Sequence, residues 1–411
     1  MINGALRETL SKLVAASSND REAFLAELVK MPSDNPPGDC APFAAHTAIL
    51  LEGMGFTVER HAVPETDARA NGMISATNLI VRHRFGPGPT IALNAHGDVV
   101  GPGGGWSVDP YGATVKDGWM YGRGAAVSKS DIATYAFALK ALIESRAKLA
   151  GTIEIHITMD EEAGGDIGPR WLIAQGLTKP DYAICAGFSY SVVAAHNGCL
   201  HLEVTVQGKS AHAADPSSGV DALAGAVSIL NALYRLREDY GRHPSNVVGI
   251  GTPNLNIGLI SGGINTNVVP DSVRFTLDRR IVPEEDPAQV EADLRLAIEQ
   301  AATPGIQIAI RRILLARPLT STPTQAPLLA AVQTAAREVF GEDIPALGVP
   351  LYTDARHYAE AGIPVVLYGA GPRTILEANA HRADERLPLT DLHRATEVVA
   401  IAVADLLQAA S

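Results

Sequence analysis

The order of strand-like and helix-like segments constrains the fold of this chain most strongly. In the first half, apolar and β-branched runs predict strands at residues 78–82, 90–95, 153–158 and 181–185. Apolar periodicity near 3.6 predicts accompanying helices at residues 21–31, 43–54, 130–146 and 169–175. Strands that alternate with helices are typical of an α/β layer built on a largely parallel sheet.

The middle of the chain has a different order. The elements predicted there are strand 200–206, helix 220–237, strands 254–260 and 272–277, helix 287–302 and strand 306–310. This is the order of the split-βαβ, or ferredoxin-like, motif. Segments at 326–339, 365–368 and 391–408 then resume the first pattern. We therefore predict a catalytic α/β domain formed by residues 1–196 and 313–411, with an inserted α+β domain at 197–312.

Charge and composition limit the classes of molecule that this chain can bind. The 411 residues include 33 Lys and Arg against 45 Asp and Glu, a net charge of −12. Nucleic acids and anionic membranes attract clustered basic charge, so we predict a small-molecule partner instead. The sequence also shows no signal peptide and no apolar run of about eighteen residues, which predicts a cytoplasmic protein. Its three cysteines have no metal-type spacing and do not indicate a disulfide framework.

Two predicted strands end in side chains that can perform chemistry. Residues 90–95 lead into His96-Gly97-Asp98, and residues 153–158 lead into Asp160-Glu161-Glu162. In open α/β sheets, ligands bind beyond the carboxyl ends of the strands. A third group, His381, comes after the glycine-rich turn 369–372. Imidazole and carboxylate groups are zinc ligands, and a neighbouring carboxylate can act as a general base.

Each of these groups alone also has a structural explanation. A single His-x-Asp is usually a surface pair, and adjacent glutamates usually form a solvated turn. Three such groups, each at a strand end or after a glycine turn, instead predict one active site.

Five motifs make a resemblance specific. They occur in the order Leu93-Asn-Ala-His-Gly-Asp-Val99, Tyr121-Gly-Arg-Gly-Ala125, Met159-Asp-Glu-Glu-Ala-Gly-Gly165, Gly208-Lys-Ser-Ala-His-Ala213 and Ala380-His-Arg-Ala-Asp-Glu385. Together they resemble the family of aminoacylases, acetylornithine deacetylases, succinyl-diaminopimelate desuccinylases and carboxypeptidase G, over nearly the whole chain. The resemblance implies two co-catalytic zinc ions and a homodimer formed through the inserted lid domain.

The resemblance also implies roles for the residues of the catalytic domain. It makes His96 a ligand of the first metal and Asp98 the acid that orients His96. Glu161 resembles the general base, and Glu162 and His381 resemble ligands of the second metal.

Further groups match the substrate-binding parts of the family. His212 resembles the imidazole that stabilises the oxyanion. Asn267 and Arg280 resemble groups that bind the substrate carboxylate, and Gly371 belongs to a turn of the substrate site. A capped turn and a surface ion pair are the structural alternatives for His212 and Arg280. Asp354 also matches a family motif, but a helix N-cap explains it equally well.

The sequence departs from the family at two metal ligands. Val127 stands where the family has the aspartate that bridges both ions, and Phe188 stands where it has another carboxylate. Two lost negative charges weaken the case for two cations, so we predict one divalent ion, most simply zinc, bound by His96, Glu162 and His381.

Two aspartates are possible replacements. Asp131 lies one helical turn after Val127, although a position at the helix start explains it better. Asp181 is a weaker candidate, because it opens its strand.

We therefore predict a metal-dependent hydrolase of amide bonds in small carboxylate-bearing molecules, such as N-acyl amino acids or dipeptides. One alternative is a metal-poor or metal-free isomerase or lyase on the same scaffold. The other is a dimer that binds a ligand without catalysis.

Overall fold

The chain divides into two compact units in a computed structural model that describes residues 2–408. The first unit contains the chain up to Ala194, Ser321–Ala346, and the chain from Thr353. The second unit is Ala195–Thr320 with the short segment Leu347–Tyr352. The second unit thus runs beyond the predicted end of the insertion at residue 312, and it includes a short piece that no local pattern marked.

Residues 2–408 form eleven α-helices and fifteen strands. The helices are α1 (Gly4–Ala16), α2 (Ser18–Lys30), α3 (Ala41–Gly53), α4 (Glu65–Ala70), α5 (Lys129–Glu144), α6 (Pro169–Ala174), α7 (Ala222–Tyr240), α8 (Pro287–Gln300), α9 (Ala326–Phe340), α10 (Ala355–Glu360) and α11 (Leu389–Leu406). The strands are β1 (Val58–Ala62), β2 (Thr77–Gly86), β3 (Thr90–His96), β4 (Thr114–Lys116), β5 (Trp119–Tyr121), β6 (Gly151–Thr158), β7 (Tyr182–Cys185), β8 (Val192–His196), β9 (Gly198–Gln207), β10 (Asn254–Gly262), β11 (Ser272–Ile281), β12 (Gln307–Ala316), β13 (Ala346–Val349), β14 (Val365–Leu367) and β15 (Arg386–Pro388).

The main sheet confirms the predicted α/β class. Its strand order is β1-β2-β6-β3-β7-β14-β8-β13. The pairs β6–β3, β3–β7 and β7–β14 are parallel, whereas β1–β2, β2–β6 and β14–β8 are antiparallel. Strands β3 and β6 are buried along almost their whole length, as strands of a sheet covered on both faces must be. Helix α5, with buried residues on every side, packs against α2, α11 and β3.

The second unit has the predicted ferredoxin-like order. Its four-stranded antiparallel sheet runs β10-β11-β9-β12, and α7 and α8 pack against it. On β9 the buried apolar residues Leu200, Leu202, Val204 and Val206 alternate with more polar ones. This period of two places the apolar residues on the helix-covered face and His201 on the other.

The elements that sequence analysis did not predict are mostly short. The three-stranded sheet β15-β5-β4 consists of three-residue strands, which are too short to show a period. Within residues 2–408, no helix has both the length and the apolar character that crossing a membrane requires.

Candidate active site

The structure brings the predicted histidine and glutamates together at one edge of the main sheet. His96 is the last residue of β3 and pairs in register with Thr158, the last residue of β6. Because the two strands are parallel neighbours, the loops at their carboxyl ends emerge side by side. Glu161 and Glu162 then begin the 3-10 helix Glu161–Ala163. One ligand atom each from His96, Glu161 and Glu162 lies within 4.8 Å of the others.

Asp98 holds this group in place. Its fully buried carboxylate accepts the backbone N–H groups of Glu161 (3.2 Å) and Glu162 (3.1 Å), and the side-chain amide of Asn35 (2.9 Å). The Nδ1 atom of His96 lies 3.0 Å from the backbone oxygen of Asp98 and 3.4 Å from its carboxylate. This contact leaves Nε2 of His96 as the atom able to bind a metal ion. Asn35 was missed, because nothing in its local sequence marks it.

His381 reaches Glu162 from another part of the first unit, but within residues 2–408 it does not join the group of ligand atoms within 4.8 Å of one another that His96, Glu161 and Glu162 form. It lies between β14 and β15 in the left-handed region, with φ of 59°. Its Nε2 atom is 3.2 Å from Oε1 of Glu162. That oxygen is buried, yet it has no hydrogen bond of acceptable geometry to any of residues 2–408. Glu162 raises the pKa of His381, so a protonated His381 forms an ion pair with this oxygen. The spacing also suits a bound cation, because two ligand atoms of a tetrahedral zinc ion lie about 3.3 Å apart.

The electrostatics of the group also fit a cation. Burial raises the pKa of Glu161 well above its usual range; the charge of His96 opposes this change, and Glu162 reinforces it. For His96, burial disfavours the charged ring, but Asp98 and Glu161 outweigh it and raise the pKa well above 6.5. Both shifts favour proton binding by the group in the absence of a metal. A divalent cation would favour ionised Glu161 and neutral His96.

Apolar side chains occupy the two positions at which the resemblance implies metal ligands. Val127 and Phe188 are half-buried and pack against the hydrophobic core of the first unit. Hydrogen bonds hold the backbone of the loop at Val127. The N–H groups of Ala126 and Val127 both donate to Glu385 (3.1 Å each), which forms a buried ion pair with Arg123 (2.6 Å).

The ring of Phe188 lies directly against Gly371. A Cβ atom added at Gly371 would come within 2.2 Å of the ring. The N–H of Gly371 donates to Oγ of Ser189 at 3.2 Å, and this hydroxyl in turn donates to the oxygen of Gly369 at 3.0 Å. Gly371, predicted to bind substrate, therefore provides close packing here.

Neither candidate replacement carboxylate joins the group of metal-ligand atoms within residues 2–408. Asp131 is buried in the first turn of α5, and its Oδ1 accepts the N–H of Ala370 (2.8 Å) rather than capping its own helix. Burial raises its pKa to about 8. Asp181 accepts the N–H of Thr90 (2.8 Å), the first residue of β3, whereas His96 is the last.

Two buried charged residues, Lys129 and Asp354, make contacts that the sequence did not predict. Lys129 donates to the oxygen of Met31 (2.9 Å) and lies over the ring of Phe43, and burial lowers its pKa to about 7. Asp354 precedes α10, but it makes no capping bond to that helix within the described chain. Its carboxylate instead accepts the hydroxyl of Thr158 (3.2 Å).

The remaining predicted residues lie in the second unit. His212 is exposed, and its Nδ1 accepts the N–H of Ala214 (3.0 Å), which leaves Nε2 available as a donor. The N–H of Ala213 donates to the backbone oxygen of Asn267 (3.0 Å), so His212 and Asn267 lie on neighbouring segments. Arg280, on β11, donates to Asp278 (3.0 Å).

Comparisons with known proteins agree with this arrangement. A model described as peptidase family M20/M25/M40 matches residues 92–405. Succinyl-diaminopimelate desuccinylase of Methylobacterium nodulans is 29% identical over 390 residues, covering 92% of this chain and 93% of that protein. Acetylornithine deacetylase of Myxococcus xanthus is 29% identical over 412 residues, covering 97% of each. The structure of an M20 family metallo-carboxypeptidase from Sulfolobus solfataricus shares the fold, with a TM-score of 0.76 at 18% identity over 95% of this chain and 100% of that one.

Proposed function

The chain belongs to peptidase family M20/M25/M40 and is a hydrolase of amide bonds, and from that premise we propose that it removes an acyl group or residue from a small carboxylate-bearing substrate. N-acyl amino acids and dipeptides are such substrates. The names of the relatives support this class, since both describe removal of an acyl group from an amino acid. Family membership favours hydrolysis over the isomerase, lyase and non-catalytic alternatives.

We propose that one divalent ion, zinc by the chemistry of its donors, is held by His96, Glu162 and His381. The unsatisfied Oε1 atom of Glu162, 3.2 Å from Nε2 of His381, supports this assignment. The packing of Val127 and Phe188 into the core supports one ion rather than two. When bound, zinc polarises a carbonyl group and lowers the pKa of a water molecule.

The side chains of the protein would perform the proton transfers and bind the substrate. Glu161 would accept a proton from the attacking water and deliver it to the leaving nitrogen. Asp98 would hold Glu161 and His96 in fixed relative positions, because its carboxylate contacts both segments. His212 would donate to the oxyanion, and Arg280 and Asn267 would bind the substrate carboxylate. These last three assignments rest on chemistry and resemblance.

A homodimer through the second unit is part of the proposal. Strand β10 lies at the edge of its sheet. It exposes Leu259 and Ile260, and the nearby Ile264 is also exposed. An open edge with apolar side chains is suited to pairing with a second copy.

The close grouping of His96, Glu161 and Glu162 carries the proposed mechanism, and Glu161 provides its test. In E161Q we expect turnover of N-succinyl and N-acetyl amino acids to fall by about 10²–10⁴-fold, because the amide cannot accept the proton. Substrate binding, measured by calorimetry, should persist. E299Q, at an exposed site on α8, is the matched control.

Full turnover in E161Q would refute the role of Glu161. The active site should account for one metal ion per chain, so elemental analysis should find one ion fewer in H381A than in wild type. Activity that survives complete removal of metal would refute the metal-dependent mechanism and favour the metal-free alternative.

A further inference from the structure

A second group of metal-ligating side chains lies in the second unit. Cys199 and His201 are two residues apart on β9, so their side chains share one face of the sheet. Asp278 on β11 pairs in register with His201, and Arg280 pairs with Cys199. One ligand atom each from Cys199, His201 and Asp278 lies within 4.8 Å of the others.

Two atoms of this group are buried without a hydrogen bond. Nε2 of His201 and Oδ1 of Asp278 are both shielded from solvent, and neither has a hydrogen-bond partner among residues 2–408. They lie 3.6 Å apart, beyond hydrogen-bond range. Nitrogen and oxygen ligands of a tetrahedral zinc ion are about 3.3 Å apart, so this spacing is close to that of two ligands around one ion.

The neighbouring arginine leaves the carboxylate oxygen available. The Nε–H of Arg280 donates to Oδ2 of Asp278, and Nη2 of Arg280 lies 3.0 Å from the same oxygen. Oδ1 of the same carboxylate therefore faces His201. A thiolate and a carboxylate together supply two negative charges, which balance a divalent cation, while the imidazole binds as a neutral ligand.

We propose that Cys199, His201 and Asp278 form a second metal site that binds a divalent transition metal of the zinc type. Sulfur, nitrogen and oxygen donors together suit zinc better than magnesium or calcium, which prefer oxygen alone. A water molecule would complete the coordination. The ion would link β9 to β11 and fix Asp278, and through Asp278 it would hold the guanidinium group of Arg280 in one orientation.

The site was not predicted from the sequence because only two of its ligands are local. Cys199 and His201 resemble the ordinary alternation of a strand, and Asp278 comes from another strand. The cluster becomes visible only through the register of β9 and β11. The competing occupant is a proton, since Asp278 and Cys199 raise the pKa of His201 to about 9.

Cobalt(II) distinguishes this site from the active site in the full-length protein. A thiolate bound to cobalt gives an intense near-ultraviolet charge-transfer band, whereas imidazoles and carboxylates do not. The groups assigned to the active site are imidazoles and carboxylates alone. We therefore expect metal-free protein titrated with cobalt(II) to develop the band until one equivalent is bound at this site.

Cysteine variants test whether the sulfur atom that binds the ion belongs to Cys199. C40A/C185A, which keeps Cys199 as its sole cysteine, should retain the band, and C199A should lose it. H201A and D278N should each weaken zinc binding at this site at least tenfold, as measured by competition with a chromophoric chelator. Wild type should also retain one zinc ion per chain more than C199A by elemental analysis.

The absence of the band in wild type would overturn the proposal and assign the cluster to a proton-linked ion pair. A band of equal intensity in C199A would also overturn it. If C40A/C185A does not fold, as judged by circular dichroism, the comparison of wild type with C199A decides the question alone.

Discussion

The carboxylate of Asp98 offers the sharpest test of how the active site is assembled. It is fully buried and accepts three N–H groups, from Glu161, Glu162 and Asn35. In D98N, the single oxygen can retain the two bonds made at Oδ2, but its amide nitrogen then faces the N–H of Glu161. One charge-assisted bond is lost and one buried donor is left unsatisfied, at a cost of about 1–3 kcal/mol each.

We therefore expect D98N to lower the free energy of unfolding by about 2–4 kcal/mol, allowing for partial relaxation. The same change should weaken zinc binding by about 10–100-fold, because Asp98 orients both His96 and the glutamate turn. Urea unfolding of the metal-free protein and calorimetric zinc titration measure the two effects separately. Zinc binding at the second site should be unaffected, so the C199A background isolates the active-site ion.

The exposed pair formed by Asp166 and Arg170 provides the control. D166N should change the free energy of unfolding by less than about 0.5 kcal/mol, as surface substitutions do. If D98N unfolded at the same urea concentration as wild type and bound zinc with equal affinity, Asp98 would not hold the glutamate turn.

Buried contacts give two further predictions. G371A should destabilise the protein by about 1–3 kcal/mol, since the new Cβ would lie 2.2 Å from the ring of Phe188; urea unfolding should show a smaller loss when the same change is made in F188A, and an unchanged midpoint in G371A would contradict the contact. Asp131 has a folded pKa of about 8, above its unfolded value, so the folded state binds the extra proton and wild type loses stability as pH rises from about 4 to 8. D131N removes this contribution, which amounts to at most about 1.4 kcal/mol per pH unit. The free energy of unfolding of D131N minus that of wild type should therefore increase from pH 4 to pH 8. If the two free energies changed in parallel with pH, Asp131 would not titrate in this way.

Much of the fold could be predicted because it depends on local patterns. The strand around 90–95 is mostly apolar and the strand around 153–158 repeats isoleucine at every second residue. Their observed bounds, Thr90–His96 and Gly151–Thr158, differ from the predicted ones by no more than two residues at either end. The ferredoxin-like order of the second unit was predicted from the same patterns. The short strands β4, β5 and β15 were not, because three residues are too few to establish a period.

The sequence also located the candidate active site, because its residues come directly after two strands. His96 and Glu161 needed only the rule that neighbouring parallel strands end at the same edge. The capping role considered for Asp131 differs from what the structure shows. Helix starts attract small acids in general, but this carboxylate bonds to Ala370 from a distant part of the chain.

The sequence by itself therefore determined the order of strands and helices along the chain, the edge of the sheet where chemistry is possible, and the apolar residues Val127 and Phe188 at two positions where the resemblance implies metal ligands. Each of these depends on residues close together in the chain. The tertiary structure alone decided that Asp98, expected to orient His96, also accepts the N–H groups of the glutamate turn, and that Cys199 and His201 face Asp278. Such contacts depend on the register between separate strands and on which buried groups find partners, and hydrogen bonding and packing set both only when the whole chain has folded.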